Sequence, residues 1–284
     1  MAVFYNKATL SYNNTVTDSN IVSGELLEVL SASKNTTADA YVVGDTITYS
    51  VGIVNSGNIA FTGLTLTDDL GAYTFGAGTN YPLTYEPNSL LVYVNGVIQV
   101  GAVATAGPPL TITGINIPAG GNVVVIYEAT VNEYATPTIG GTITNTATIT
   151  GGGLLSDISD SETVPVSTEA FLSINKSVSP ESVVENGQLT YTFVIQNTGN
   201  TAAVATDNII VTDEFNPVLS NITVTFNGVL WTENVEYTYD ESTGLFQTVT
   251  SQITVPAASF TQNSTTGEWT VSPGLGTLRV VGTV

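Results

Sequence analysis

The sequence contains no cysteine and no histidine, and only four of its 284 residues are lysine or arginine. Each absence removes a class of chemistry. Without cysteine there is neither a disulfide framework nor a thiolate nucleophile, and without histidine no Ser-His-Asp or Cys-His arrangement can be assembled. Zinc loses its usual ligands as well. Four cations against 24 carboxylates give a formal net charge of −20, which rules out phosphate neutralisation and polybasic anchoring to an anionic bilayer. No cofactor, metal, nucleic acid partner, membrane insertion or enzymatic turnover is expected. No apolar run reaches the ~18 residues of a membrane helix, and the start Met1-Ala-Val-Phe-Tyr-Asn-Lys7 lacks the basic and apolar regions of a cleaved export signal.

What remains is 42% hydrophobic residues in a chain long enough for about two domains of roughly 100–200 residues. Short alternating segments rich in Thr, Val, Ile and Tyr are bounded by Gly, Asn, Asp and Pro, and helical periodicity is almost absent. This pattern is all-β. Asn95-Gly96, between Leu90–Val94 and Val97–Val100, is a hairpin signal.

The chain also repeats itself. Gly44-Asp-Thr-Ile-Thr-Tyr-Ser-Val-Gly-Ile-Val-Asn55-Ser-Gly-Asn58, followed by Leu64-Thr-Leu-Thr-Asp68, is answered by Asn186-Gly-Gln-Leu-Thr-Tyr-Thr-Phe-Val-Ile-Gln-Asn197-Thr-Gly-Asn200 and Ile209-Ile-Val-Thr-Asp213. Copy one continues through Ile115–Val131 and closes with Thr142–Ile149. Copy two matches the former with Trp269–Val284 and has no closing strand. The missing piece resembles the N-terminus: Asn6-Lys-Ala-Thr-Leu10 matches Asn145-Thr-Ala-Thr-Ile149, and Thr17–Lys34 aligns without a gap on Ser159–Lys176. The expected organisation is a donor strand at 1–16, a linker at 17–33, a first sandwich at 34–150, a linker at 151–175 and an incomplete second sandwich at 176–284.

A sandwich lacking one strand exposes backbone edges and an apolar groove, and invites a strand from another chain. An arm that leaves copy one like the equivalent linker would reach an identical subunit, and such heterologous contacts build filaments. The alternative is an arm that folds back into its own copy two, which the length of the linker permits.

Two of the three lysines start the two copies, and period-two alternation turns both toward the core: Lys34 with Leu30 and Ala32, Lys176 with Leu172 and Ile174. The same parity turns Asp68, Asp213 and Asn145 inward, and puts Asn6 on one face with Phe4, Ala8 and Leu10. Burial disfavours the charged form of both lysine and carboxyl. A neutral amine is a nucleophile, so lysine attacking the asparagine side-chain amide, with the acid assisting, would leave an isopeptide bond and release ammonia. A buried Lys–Asp ion pair with Asn as hydrogen-bond partner satisfies the same groups.

Through the Lys, Gly-Asp/Asn-Gly…Thr-Tyr, Asn-x-Gly-Asn, Thr-Asp and Asn-x-Ala-Thr elements, both copies resemble the conserved-repeat domain of unknown function eleven of bacterial surface proteins. The resemblance spans nearly the whole chain. It implies two tandem immunoglobulin-like β-sandwiches serving as a structural stalk. Lys–Asn bonds of similar pilin and adhesin modules, transferred by position, imply Lys34–Asn145 with Asp68 inside copy one, and Lys176 and Asp213 with Asn6 of another subunit. Asp69 and Glu214 are alternative acids of outward parity. In its two modules and mass the chain also resembles the clostridial spore appendage proteins, which implies a fibre assembled on the spore or cell surface without an export signal.

Other readings are weaker. Asp157, Asp160 and Glu162 offer oxygen ligands for calcium without an EF-hand pattern, and read better as a solvated linker. Asp68 and Asp69 face opposite sides of a strand and cannot flank one sugar. Trp231 and Trp269 with the tyrosines are candidates for a carbohydrate platform, which keeps a ligand-binding adhesin as the rival to a purely structural subunit.

Overall fold

A computed structural model describes residues 2–284, so Met1, the first position of the expected donor strand, lies outside the described residues. Among these residues every regular element except one 3-10 turn, Ala205–Asp207, is a strand. None of them forms a helix long and apolar enough to cross a membrane. Two compact units form, one from residues up to Asp39 with 44–132 and 143–164, the other from 40–43, 133–142 and 165–284.

The N-terminal arm holds β1 (Ala2–Asn6), β2 (Thr9–Tyr12), β3 (Thr15–Asp18) and β4 (Val22–Leu26). Here the expectation of a single strand followed by a linker is corrected. β1 pairs with β4 and β2 with β3, so the arm is one long antiparallel hairpin. Its turn is Asn13-Asn14, both at positive φ (42° and 62°), the conformation a two-residue hairpin loop demands and asparagine tolerates. Across the ladder Lys7 Nζ meets Asp18 at 2.6 Å, Thr9 Oγ1 donates to Asp18 at 2.8 Å, and the Ala8 amide donates to Ser19 Oγ at 2.9 Å. These bonds, spread over two polar-rich strands, were not visible in an alignment that matched the second strand to a connector.

The first sandwich continues with β5 (Leu30–Thr36), β6 (Thr46–Asn55), β7 (Phe61–Asp68), β8 (Tyr73–Phe75), β9 (Gly78–Asn80), β10 (Leu83–Tyr85) and β11 (Leu91–Val94). Then follow β12 (Val97–Ile98), β13 (Val103–Thr105), β14 (Leu110–Ile117), β15 (Asn122–Val131), β16 (Thr142–Gly151) and β17 (Ile158–Pro165). One sheet runs β12-β11-β15-β6-β5, with β10 also on β15; the other runs β13-β14-β7-β16-β17. Every second residue of β6 (Ile47, Tyr49, Val51, Ile53) and of β15 (Val123, Val125, Tyr127, Ala129) is buried. Leu64, Leu66, Leu110, Ile112, Ile143 and Ile149 bury the inner face of the other sheet. Burial of each such large side chain is worth about 1.5–3 kcal/mol, which is what fixes strand register here. Asn95-Gly96 forms the expected tight turn, with φ of 50° and 79°.

β17 corrects the expected linker at 151–175. Residues 158–165 form a fifth strand with Val164 fully buried, and the acids between its apolar positions hid that alternation.

The second sandwich has β18 (Leu172–Ser179), β19 (Gln188–Asn197), β20 (Thr212–Glu214), β21 (Ser220–Phe226) and β22 (Val229–Leu230). β23 (Tyr237–Asp240), β24 (Leu245–Thr248), β25 (Ser259–Gln262), β26 (Trp269–Ser272) and β27 (Gly274–Thr283) complete it. The sheet β18-β19-β27-β21-β22 reproduces β5-β6-β15-β11-β12 strand for strand. The expected match over Trp269–Val284 narrows to β27, because β26 instead pairs with β25 in a separate ribbon. Against the large sheet lies only β20-β24-β23, the counterpart of β7-β14-β13. Among the described residues, no strand occupies the positions equivalent to β16 and β17.

The repeat extends to single hydrogen bonds. Buried Asn55 donates to the Ile59 and Pro118 carbonyls and accepts from Gly57 N; buried Asn197 donates to Thr201 and Pro256 and accepts from Gly199 N. Gly199 is required there, since a Cβ would lie 2.1 Å from the Glu169 carbonyl oxygen.

Candidate functional site

In the first sandwich three strands bring the expected residues together. Lys34 on β5, Asp68 at the end of β7 and Asn145 on β16 are all buried, as their parity requires. Lys34 Nζ forms an ion pair with Asp68 Oδ2 and lies 3.0 Å from the Tyr127 hydroxyl. That hydroxyl donates to Asp68 Oδ2 and accepts from Asn145 Nδ2 at 3.3 Å. Asn145 Oδ1 accepts no hydrogen bond among the described residues. Tyr49 and Tyr127 stack at 5.7 Å, with the ammonium 4.8 Å from the Tyr49 ring centroid.

Burial pushes the Lys34 pKa below its ordinary value, opposed by the Asp68 carboxylate. Burial, then Asp68, pushes the Tyr127 phenol well up, so it stays protonated as the donor in the network. The site holds an amine favoured toward neutrality, a carboxylate in contact with it, and an amide whose nitrogen is already hydrogen-bonded to the shared tyrosine.

Asp69, the alternative acid, does something else. Its Oδ1 accepts from the Thr146 and Gly71 amides at 2.8 and 2.9 Å, which pins β16 next to Asn145. Asp160, considered above as a calcium ligand, accepts from the Lys34 amide at 2.7 Å and ties β17 to the edge of β5. Tyr127 is the residue that motif matching missed. The available signal was a hydroxyl-bearing side chain at core parity, between Val125 and Ala129.

The second sandwich brings only two of its three expected residues together. Lys176 and Asp213 form an ion pair, but their side chains are 41% and 17% exposed where those of Lys34 and Asp68 are both 0%. Lys176 keeps its inward parity, facing the core rings of Tyr191 and Phe215, but it is left half open because no described strand stands where β16 and β17 cover the first site. Leu172 and Ile174 are 40% and 53% exposed, against 7% for Leu30. Lys176 Nζ sits 4.7 Å from the Tyr191 ring centroid and 5.6 Å from that of Phe215. Opposite Tyr191 stands Val280, where Tyr127 stands opposite Tyr49, so this site has no bridging hydroxyl. Glu214 is exposed, and its amide donates to Asp213 Oδ1 at 3.0 Å. Asn6 of the same chain lies in the arm, paired with Val22; Phe4, Asn6, Ala8 and Leu10 are all exposed.

Trp231 packs on Phe226 at 5.3 Å and lies against the second core; Trp269 lies on the β25–β26 ribbon. The two do not form a common aromatic platform.

No family model matches the chain, and no curated protein matches it. Solved structures do. The pilus backbone protein RrgB of Streptococcus pneumoniae is 15% identical over 86% of this chain, with a TM-score of 0.34, and this chain spans 54% of its length. The 35 kDa C-terminal fragment of the major pilin GBS80 of Streptococcus agalactiae is 12% identical, with 87% of this chain and 91% of the other covered and a TM-score of 0.36. AvmM, which catalyses macrocyclization in alchivemycin A biosynthesis, is 12% identical over 56% of this chain and 95% of its own, with a TM-score of 0.31. Pilins and an enzyme stand side by side at this distance, so likeness of this kind does not choose a function.

Proposed function

We propose that the chain is a structural subunit of a fibre on a bacterial cell or spore surface. Copies join head to tail, the arm of one supplying Phe4, Asn6, Ala8 and Leu10 to the open second sandwich of the next. The observation that carries this reading is the unequal state of two equivalent Lys–Asp pairs: one buried beneath β16 and β17, the other half open with Leu172 and Ile174 exposed on the same strand. The contact joins different surfaces of the two copies, so it propagates as a filament. Spore-surface placement rests on the resemblance to clostridial appendage subunits.

Each completed site is sealed by an isopeptide bond, Lys34 to Asn145 within a copy and Lys176 to Asn6 between copies. The lysine ammonium passes one proton to the adjacent aspartate, Asp68 or Asp213. The freed amine attacks asparagine Cγ, the bond from Cγ to the amide nitrogen breaks, and that nitrogen leaves as ammonia with one hydrogen from Nζ. Ammonia takes up the proton held by the aspartate, which returns to carboxylate. Lysine supplies the nucleophile at each site, and at Lys34 burial favours the neutral form. A chain without cysteine thereby gains a covalent staple.

Denaturing intact-mass analysis of protein boiled in detergent tests this. The expected result is a ladder of subunit multiples, short by one ammonia per first sandwich and one per junction. A single species short by one ammonia would leave only Lys34–Asn145 and remove the covalent junction between copies. Full sequence mass without a ladder would make both pairs simple ion pairs and leave a noncovalent adhesin or stalk.

A further inference from the structure

Resting on that head-to-tail reading, we infer that the donated element is the whole preformed hairpin Ala2–Leu26 of a second copy, seated in the places of both β16 and β17, rather than a single strand. The acceptor lacks two adjacent strands, not one: β7 carries β16 and then β17 on its free side, whereas the matching side of β20 carries no strand among the described residues.

The arm has the form of that missing pair. Its first strand segment, residues 2–12, contains the match to β16 centred on Asn6. Its second, residues 15–26, contains Thr17–Val22, the stretch that aligns without a gap on Ser159–Val164 in β17. The Asn6↔Val22 pairing puts Val22 on the face of Phe4 and Asn6. Its sequence counterpart Val164 is fully buried on the same face as Asn145, two residues on from Glu162, which the Thr144–Thr163 and Thr146–Ser161 hydrogen bonds set opposite Asn145, so the docked hairpin carries Val22 at the place of Glu162. Five paired positions in β1–β4 and four in β2–β3 hold the hairpin in the free chain. A single-strand donor would have to break all of them. A hairpin donor keeps them and arrives already ordered, which lowers the entropy cost of docking.

The absence of native cysteine gives a direct test. Tyr5→Cys with Ser23→Cys joins facing positions of outward parity, so an oxidised pair locks the two strands without touching the docking face. The full-length double variant is compared with the unmodified chain, oxidised and reduced, by denaturing mass analysis. Assembly into the same ladder in both redox states supports the hairpin donor. Assembly only after reduction overturns it in favour of a peeled-off single strand, and leaves the fibre reading intact. A monomer short by two ammonias would give the groove to the arm of the same chain and overturn both. Hydrogen exchange on unmodified fibres decides independently of the variant. Amides of 15–18 and 22–26 as protected as those of 2–6 and 9–12 support the hairpin, and free exchange of the second strand alone overturns it. Absence of any polymer from the unmodified chain removes this inference together with the fibre reading.

Discussion

The two sandwiches differ most where their sequences agree best. Lys34 and Lys176 belong to the same repeated motif, lie on equivalent edge strands and pair with equivalent aspartates, Asp68 and Asp213, yet one is buried in the core and the other half open. The cause lies outside both residues. β16 and β17 cover the first pair, and no strand of the second sandwich occupies their place. A shared local pattern therefore yields a buried pair in one half and a half-open pair in the other, because burial is a property of the strands around a residue.

The largest effect should come from removing the donor. Deleting Ala2–Asn14 is expected to abolish polymers while leaving the first sandwich folded, read by electron microscopy and by urea unfolding. Normal filaments would end the comparison as drawn. Next, Asn6→Ala should allow filaments that fall apart in hot detergent, and continued resistance would assign the junction cross-link elsewhere.

Within the first sandwich, Lys34→Met leaves Asp68 buried without its cation. That change is expected to destabilise the unit by about 3–5 kcal/mol in denaturant unfolding, while the matching Lys176→Met in a monomer costs far less because that pair is solvated.

The smallest effect sharpens the contrast further. Tyr127→Phe removes the hydroxyl that joins lysine, aspartate and asparagine, and should cost about 1–3 kcal/mol and slow sealing of Lys34–Asn145. Junction sealing should be unchanged, since Val280 stands in that place. In an Asn145→Ala variant, which cannot seal, the lowered Lys34 pKa has a sign that can be checked. Between the folded value and the ordinary value of the unfolded chain, the folded state holds fewer protons, so stability should rise with pH across that interval and fall as pH drops through it.

Much of this was readable because strands report their faces in period two. Lys34, Asp68 and Asn145 share parity with unmistakable core residues, and the copy-two motif doubled the evidence for the first two. Tyr127 escaped because a tyrosine among valines looks like core and its counterpart, Val280, has no hydroxyl. β17 escaped because Asp160 and Glu162 interrupt its apolar positions, although Asp160 proves to bind the Lys34 amide. The second strand of the arm is hidden in the same way, because Thr17–Val22 aligns with the acid-bearing stretch Ser159–Val164 of β17.

The sequence by itself determined the all-β class, the duplication, the inward parity of the Lys, Asp and Asn residues of the first copy, and the kinship of the arm with a closing strand. These depend on alternation and repetition along the chain. Only the tertiary structure decided that Tyr127 joins the buried network, that Lys176 stands open and that the arm is a hairpin. Each of these depends on which strands lie side by side, and hydrogen-bonded pairing between distant segments is written in no single stretch of sequence.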